Sequence, residues 1–149
     1  DVEFTFSANA GEPLKTMSKI ISGGEMSRFM LAMKIVSSDN AGTYIFDEID
    51  SGISGDVARI VAEKFSILSK NIQIITISHL PQICAFSDCS FAIVKSAENG
   101  KTITNVNKLS SEEKIAEIVR IIGGAGSKDG ATLHAKEIIS YAQSYKNNH

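Results

Sequence analysis

Two adjacent acidic residues, Asp47 and Glu48, follow the apolar run at residues 43–46, which predicts a buried strand. In open α/β sheets, ligands bind outside the carboxyl ends of the strands. Neighbouring strand residues point in different directions, so the two carboxylates can have different roles. One can hold a hydrated magnesium ion, and the other can position or deprotonate a water. A solvated strand-to-loop transition without chemistry explains the same pair when this segment is considered alone.

His79 directly follows a second run of β-branched residues, at positions 72–77. This places it at the same predicted sheet edge as Asp47 and Glu48. An imidazole there can hydrogen-bond a terminal phosphate or an attacking water, although a lone histidine is more often a structural or surface residue. The small, turn-forming residues at positions 50–55 predict an exposed loop beside the acids.

The segment Ser22-Gly23-Gly24-Glu25 precedes a predicted long helix. Two glycines let a backbone approach a bulky anion, and the amides and dipole of a helix start favour negative charge. Ser22 can offer its hydroxyl to a phosphate oxygen. A plain capping box, with Ser22 as N-cap and Glu25 at the third helical position, is the common alternative. That alternative does not require the two interior glycines.

A second glycine-rich stretch, at residues 123–128, does not match a phosphate loop. The spacing of GxxxxGK[ST] is not satisfied, and the stretch follows a predicted helix, whereas a phosphate loop follows a strand. We predict a helix stop and a turn there.

Alternating strand and helix patterns predict an α/β domain with a mainly parallel sheet, flanking helices and a β-hairpin. The predicted strands cover residues 2–8 (half-buried), 43–46 and 72–77 (both buried), and a hairpin of residues 91–95 and 102–108 around Asn99-Gly100. The predicted helices run from Ser22 to about residue 37 and over about residues 56–68, from Pro81, over 110–122 behind a Ser110–Glu113 capping box, and over about 132–145. The apolar face predicted for the second helix consists of Val57, Ile60, Val61, Phe65 and Leu68.

Composition favours one soluble domain. The chain has 149 residues, of which 43% are hydrophobic and 21% charged, with a net charge of -2. This balance gives no sign of a strongly basic nucleic-acid surface, and no apolar run is long enough to span a membrane. Cys84 and Cys89 fit neither a CxxC pair nor a common zinc spacing, so we interpret them as ordinary thiols in a reducing cytosol.

The order of these segments resembles the second half of an ABC-type ATPase head. By that resemblance, residues 21–25 are similar to the signature motif, and Asp47 is similar to the magnesium-associated Walker B aspartate. Glu48 is similar to the catalytic glutamate, Asp50 to the D-loop aspartate and His79 to the switch histidine. The resemblance therefore implies the carboxy-terminal half of a P-loop NTPase head, with ATP and Mg²⁺ as cofactors.

Finer detail resembles the RecN-type DNA-repair proteins of the SMC-like branch, in residues 22–28, 46–55 and 78–82. The resemblance implies that the Walker A lobe and a coiled coil lie elsewhere in the same parent chain, so that residues 1–149 alone are inactive. It also implies a second head bound through ATP, DNA engaged by the parent protein in double-strand-break repair, no membrane, and a cytoplasmic, nucleoid-associated location. The start at Asp1, without methionine, is expected for an excised piece.

Three alternatives stay open from the residues. The chain can come from another ABC branch, either a different SMC-like protein or a transporter ATPase. Transporter members usually carry Gln at the position of Glu25 and Pro-Thr after the catalytic glutamate, which this chain does not. A non-catalytic interaction domain fits poorly with intact Asp47, Glu48 and His79. A stand-alone hydrolase using Glu48 and His79 leaves the glycine-rich segment unexplained.

Overall fold

The computed structural model describes residues 3–7, 11–37, 42–98, 101–123 and 128–149. The strands are β1 (Thr5–Phe6), β2 (Lys15–Thr16), β3 (Thr43–Phe46), β4 (Gln73–Thr76), β5 (Phe91–Glu98) and β6 (Lys101–Lys108). The helices are α1 (Gly23–Val36), α2 (Gly55–Leu68), α3 (Pro81–Phe86), α4 (Ser111–Ile122) and α5 (Lys128–Asn148), and a short 3-10 helix covers Met17–Lys19. No helix in these ranges is both long and apolar enough to cross a membrane.

Local sequence explains where the helices begin. Ser110 caps α4, since its hydroxyl accepts from the Glu113 N–H at 3.2 Å while the Glu113 carboxylate accepts from the Ser110 N–H at 2.8 Å. Pro81 stands at the first position of α3, where a missing N–H costs nothing. The predicted helices are all present. The last helix, Lys128–Asn148, is longer than the predicted range of about residues 132–145.

The strands form three two-stranded sheets in the described part of the chain. β3 and β4 are parallel, with Thr43 opposite Gln73 and Phe46 opposite Thr76. β1–β2 and β5–β6 are antiparallel. The predicted mainly parallel sheet is therefore represented by one parallel pair only. The hairpin strands are longer than predicted, and the Asn99-Gly100 turn and residues 124–127 lie outside the described residues.

The core lies between the β3–β4 pair and helices α2 to α5. Phe46 stacks at a tilt on Phe65, with ring centroids 5.2 Å apart, and Ile49 and Ile118 are fully buried. Each such side chain contributes roughly 1.5–3 kcal/mol through burial. The buried core also includes Leu31, Tyr44, Val61, Ala62, Ile83, Phe86, Ala135 and Ala142.

The predicted burial of three strands was wrong. In β3 and β4 only one face is covered, and on the other face Ile45 is 70% exposed, Ile75 46% and, just beyond the strand, Ile77 54%. The first predicted strand is reduced to Thr5–Phe6, whose residues are exposed, while residues 2 and 8 lie outside the described ranges. Alternating or β-branched residues predict a strand but not what covers it.

The buried face of α2 also differs from the prediction. Val57 and Ile60 are exposed, whereas Ala58 and Ala62 are buried beside Val61 and Phe65, as predicted for the last two. Ala58 and Ala62 are small and allow α2 to approach its neighbours closely. The buried face of α2 therefore includes these alanines and not the larger Val57 and Ile60.

Candidate functional site

The start of α1 is a capping box. The Glu25 N–H donates to Ser22 Oγ at 3.3 Å, and Glu25 Oε2 accepts from the Ser22 N–H at 2.7 Å and from the Ser22 hydroxyl at 3.0 Å. The backbone hydrogen bond from Ser22 is the main cause that holds the pKa of Glu25 below its ordinary value, followed by the Ser22 hydroxyl. The predicted capping box is therefore formed, and the Ser22 hydroxyl already has a hydrogen-bond partner, Glu25, in its own chain.

Gly23 and Gly24 provide space for the turn that follows β3 and carries Asp47 and Glu48. This turn, residues 47–51, is called the acidic turn. A Cβ atom on Gly23 would lie 2.8 Å from Glu48 Oε2. A Cβ atom on Gly24 would lie 2.8 Å from the Glu48 carbonyl oxygen, 2.8 Å from Ser51 Cβ and 2.9 Å from the Ser51 carbonyl oxygen. Those distances are shorter than side-chain carbons adopt, and the neighbours of Gly24 are mainly backbone. The start of α1 therefore touches the turn that carries the acids.

The acidic turn has an unusual backbone at Glu48, with φ of 55°, in the left-handed region that non-glycine residues seldom occupy. The Ser51 N–H donates to the Glu48 carbonyl at 3.0 Å and closes the turn. Asp47 is exposed, and its Oδ1 accepts from the Glu48 N–H at 2.9 Å. Strained residues of this kind cluster at functional sites.

Asp50 connects this turn to the residues that follow β4. It is only 5% exposed, and its Oδ2 accepts from the Ser78 hydroxyl and from the His79 N–H, each at 2.7 Å. His79 Nδ1 lies 2.9 Å from the same oxygen. Burial raises the pKa of Asp50, but the two hydrogen bonds and the nearby imidazole lower it by more, so the net pKa lies below the ordinary value.

The position of Asp50 corrects one expectation. The sequence predicts an exposed loop beside the acids at residues 50–55, whereas the Asp50 carboxylate is buried against His79 of the same chain. The parallel pairing brings the ends of β3 and β4 side by side, and this makes the contact possible. A short acidic side chain in a polar loop carries no signal of burial in the sequence.

His79 exposes 78% of its side chain. Because an ionised carboxylate can only accept, Nδ1 carries the hydrogen that faces Asp50. Nε2 makes no hydrogen bond to any described residue. It can therefore accept from a water when the ring is neutral, or donate to an anionic oxygen when the ring is charged.

The structure brings the predicted site residues together. Gly23 and Gly24 touch the turn bearing Glu48, and that turn is joined through Asp50 to His79. The described residues contain no group of three or more acids, histidines or cysteines arranged to enclose a metal ion. A magnesium ion with many waters needs no such group, since one or two carboxylates suffice.

Sequence reasoning missed Ser27, Arg28 and Ser78 as site residues. Ser27 Oγ donates to the Asp47 carbonyl at 2.9 Å, and Arg28 Nη1 donates to the Ile49 carbonyl at 3.0 Å and to the Ser51 carbonyl at 2.8 Å. A usable signal was present. Ser27 and Arg28 stand three and four residues after Gly24, on one face of the helix.

Comparison with known proteins finds several DNA repair proteins named RecN among the relatives. The chain is 46% identical over 151 aligned residues, all of its length, to the DNA repair protein RecN of Halalkalibacterium halodurans, and covers 27% of that protein. It is 46% identical to RecN of Bacillus subtilis, with 97% of the chain and 26% of the relative covered, and 43% identical to RecN of Treponema pallidum, with 93% and 25% covered. The chain belongs to the RecN family.

The structural comparison agrees with that assignment. A solved structure from work on ATP-driven dimerization and DNA-stimulated activation of SMC ATPases has a TM-score of 0.50 and 29% sequence identity, covering 74% of the chain and 68% of the solved chain. No protein-family model matches the sequence. The chain spans about a quarter of the length of the RecN proteins it matches.

Proposed function

We propose that this chain is the lobe of a RecN-type ATPase head that carries the signature motif, the catalytic acids and the switch histidine. The Walker A phosphate loop and the coiled coil would lie elsewhere in the parent protein. One observation carries the proposal most. Asp50 joins the acidic turn after β3 to His79 after β4, at one edge of a parallel pair. In open α/β sheets that edge is where ligands bind.

Asp47 is the residue that fits a magnesium ion in this proposal. Its carboxylate is exposed, and only Oδ1 accepts a hydrogen bond from the described backbone. Magnesium keeps several waters and takes the remaining ligands from phosphates and one or two carboxylates. MgATP, when bound, would supply the phosphoryl group that is transferred and the metal that neutralises its charge. Asp47 would hold this metal through water.

Glu48 and His79 would act on the attacking water and the γ-phosphate. The Glu48 carboxylate is exposed, makes no hydrogen bond to any described residue, and is therefore available to orient a water and take its proton. His79 presents Nε2 because Nδ1 is held by Asp50. That ring nitrogen would bind the γ-phosphate or the water and stabilise charge during transfer.

Dimerisation would bring a second head to the same nucleotide. The Ser22–Glu25 segment stands at the amino end of the fourteen-residue helix α1, where the helix dipole favours phosphate oxygens. Closure around ATP from both sides would make the dimer depend on ATP, and hydrolysis would reopen it. In the parent protein the cycle would engage DNA during double-strand-break repair, in the cytoplasm at the nucleoid.

The substitution Glu48→Gln in the full-length parent tests this function. It removes the proton acceptor and keeps the side-chain size, so ATP turnover should fall by about 100-fold or more while ATP binding persists. The ATP-dependent dimer should also last longer, as measured by light scattering. Glu112→Gln, in the exposed first turn of α4, is the matched control. Near-normal turnover in Glu48→Gln would show that the assigned base is wrong.

An exposed apolar face of the β3–β4 pair supports the proposal that a second lobe packs against this chain. Parallel sheets are normally covered on both faces, yet Ile45, Ile75 and Ile77 face outward here. The Walker A lobe of the parent chain would cover this face. Residues 1–149 alone should therefore show no tight MgATP binding by calorimetry, and co-expression with the complementary segment should restore it. Low-micromolar binding by residues 1–149 alone would contradict the division into lobes.

A further inference from the structure

The acidic turn is held through its backbone by one face of α1. Ser27 donates to the Asp47 carbonyl, and Arg28 Nη1 donates to the carbonyls of Ile49 and Ser51. Three of the five carbonyls from Asp47 to Ser51 therefore accept from this helix, and Gly24 lies against a fourth, that of Glu48. The helix thus contacts the turn that gives Glu48 its left-handed backbone.

Arg28 has the longest of these side chains. It reaches from the second turn of α1 to the far end of the acidic turn. Its guanidinium is partly buried and makes no ion pair with a carboxylate in the described residues. The always-charged, planar group is directed at two backbone carbonyls that are two residues apart. Hydrogen bonds from a charged donor are stronger than neutral ones, so this contact fixes the carbonyl positions firmly.

The same helix is capped by Ser22, in the Ser22–Glu25 segment proposed to contact the nucleotide of a second head. A helix moves as a rigid element, so a shift at its amino end also moves Arg28 one and a half turns later. Ile49, one of the residues whose carbonyl Arg28 binds, is fully buried and directly follows Glu48. Arg28 therefore provides a physical connection from the Ser22–Glu25 segment to the acidic turn.

We propose that Arg28 is a positioning residue that makes hydrolysis depend on head closure, by transmitting the placement of α1 to the backbone around Glu48. This inference rests on the proposed ATPase function. Arg28 does not touch the reacting atoms in this proposal. Loss of its two hydrogen bonds should misplace the Glu48 carboxylate, and a shift of about 1 Å is enough to lower turnover about 100-fold.

The test uses the full-length parent with Arg28→Ala, Arg28→Lys and the control Arg120→Ala, an exposed arginine paired with Glu117 on α4. In Arg28→Ala we expect kcat to fall by about 10- to 100-fold, with KM for ATP changed less than about twofold and the ATP-dependent dimer retained. Lysine keeps the charge but not the planar fork, so Arg28→Lys should recover only part of the activity. The control should match the wild type.

Three results would overturn the proposal: normal kcat in Arg28→Ala, full recovery with lysine, or loss of dimerisation together with kcat. Hydrogen exchange on the nucleotide-free protein separates this inference from the proposed function. The Ser51 amide, which closes the acidic turn, should exchange faster in Arg28→Ala than in Arg120→Ala. A wild-type parent without ATPase activity would reject the proposed function, while unchanged Ser51 exchange would reject the role of Arg28.

Discussion

Asp50 Oδ2 and His79 Nδ1 lie 2.9 Å apart, although 29 residues separate them in the chain. The same oxygen accepts the His79 N–H and the Ser78 hydroxyl. One buried carboxylate therefore fixes the backbone, the ring orientation and the tautomer of an otherwise exposed histidine. Asp50 therefore orients His79 within the same chain, and its proposed place at the nucleotide stays a prediction.

Replacing Asp50 should reduce catalysis through His79. In the full-length parent, Asp50→Asn should lower kcat by about 10- to 100-fold, because the amide can present its donor to the ring and favour the wrong tautomer. KM for ATP should change little. Asp50→Ala should also lower the free energy of unfolding by about 1–3 kcal/mol, since buried donors lose their acceptor. Steady-state kinetics and denaturant unfolding measure both, and unchanged kcat in Asp50→Asn would disprove the role in orienting His79.

The lowered pKa of Asp50 predicts a pH-dependent stability. The folded-state pKa lies below the unfolded value, so this carboxylate contributes its full stabilisation above about pH 4 and loses it as the pH falls through the folded-state pKa. The unfolding temperature of the protein should therefore depend less steeply on pH, below about pH 4, in Asp50→Asn than in the wild type. Calorimetry across this range measures the difference. Parallel curves for the two proteins would contradict the prediction.

A methyl group at Gly24 should displace the acidic turn. Gly24→Ala places a carbon 2.8 Å from the Glu48 carbonyl and from Ser51 Cβ, and it should cost about 1–3 kcal/mol of stability. The control is Gly130→Ala in α5, where nothing lies within 4 Å of the new carbon. That change should stabilise the protein by about 0.5–1 kcal/mol. Chemical denaturation of both variants tests the pair, and equal effects would refute the close approach.

The two cysteines should react with a maleimide at different rates. Cys89 is exposed, whereas Cys84 is partly buried. Burial raises the pKa of the Cys84 thiol, and the reactive thiolate is then scarce at neutral pH. Mass spectrometry during labelling at pH 7.5 should show Cys89 modified first. Equal rates at the two sites would indicate that α3 opens readily.

The sequence predicted the parts of the site that depend on local pattern. β3, β4 and the start of α1 were placed correctly, because strand runs and a capping box are signals within a few residues. The shared edge of Asp47, Glu48 and His79 followed from the rule for parallel strands. Their proposed chemical roles stay predictions until the variants are measured.

The missed features depend on contacts between distant segments. The burial of Asp50 requires Ser78 and His79 to arrive from the end of β4. Arg28 binds backbone carbonyls, which no side-chain pattern in the sequence reveals. Ile45 is exposed on the uncovered face of the β3–β4 pair, a face that the Walker A lobe would cover under the proposed function. Periodicity predicts an apolar face but does not state which molecule covers it.

The hydrogen bonds around the acidic turn join residues that are 20 to 29 positions apart in the chain. Contacts of such separation form late, since the chain entropy of closing the intervening loops must be lost first. A partly folded chain would therefore contain Glu48 without its left-handed backbone. Under the proposed function, such a chain would not yet consume ATP.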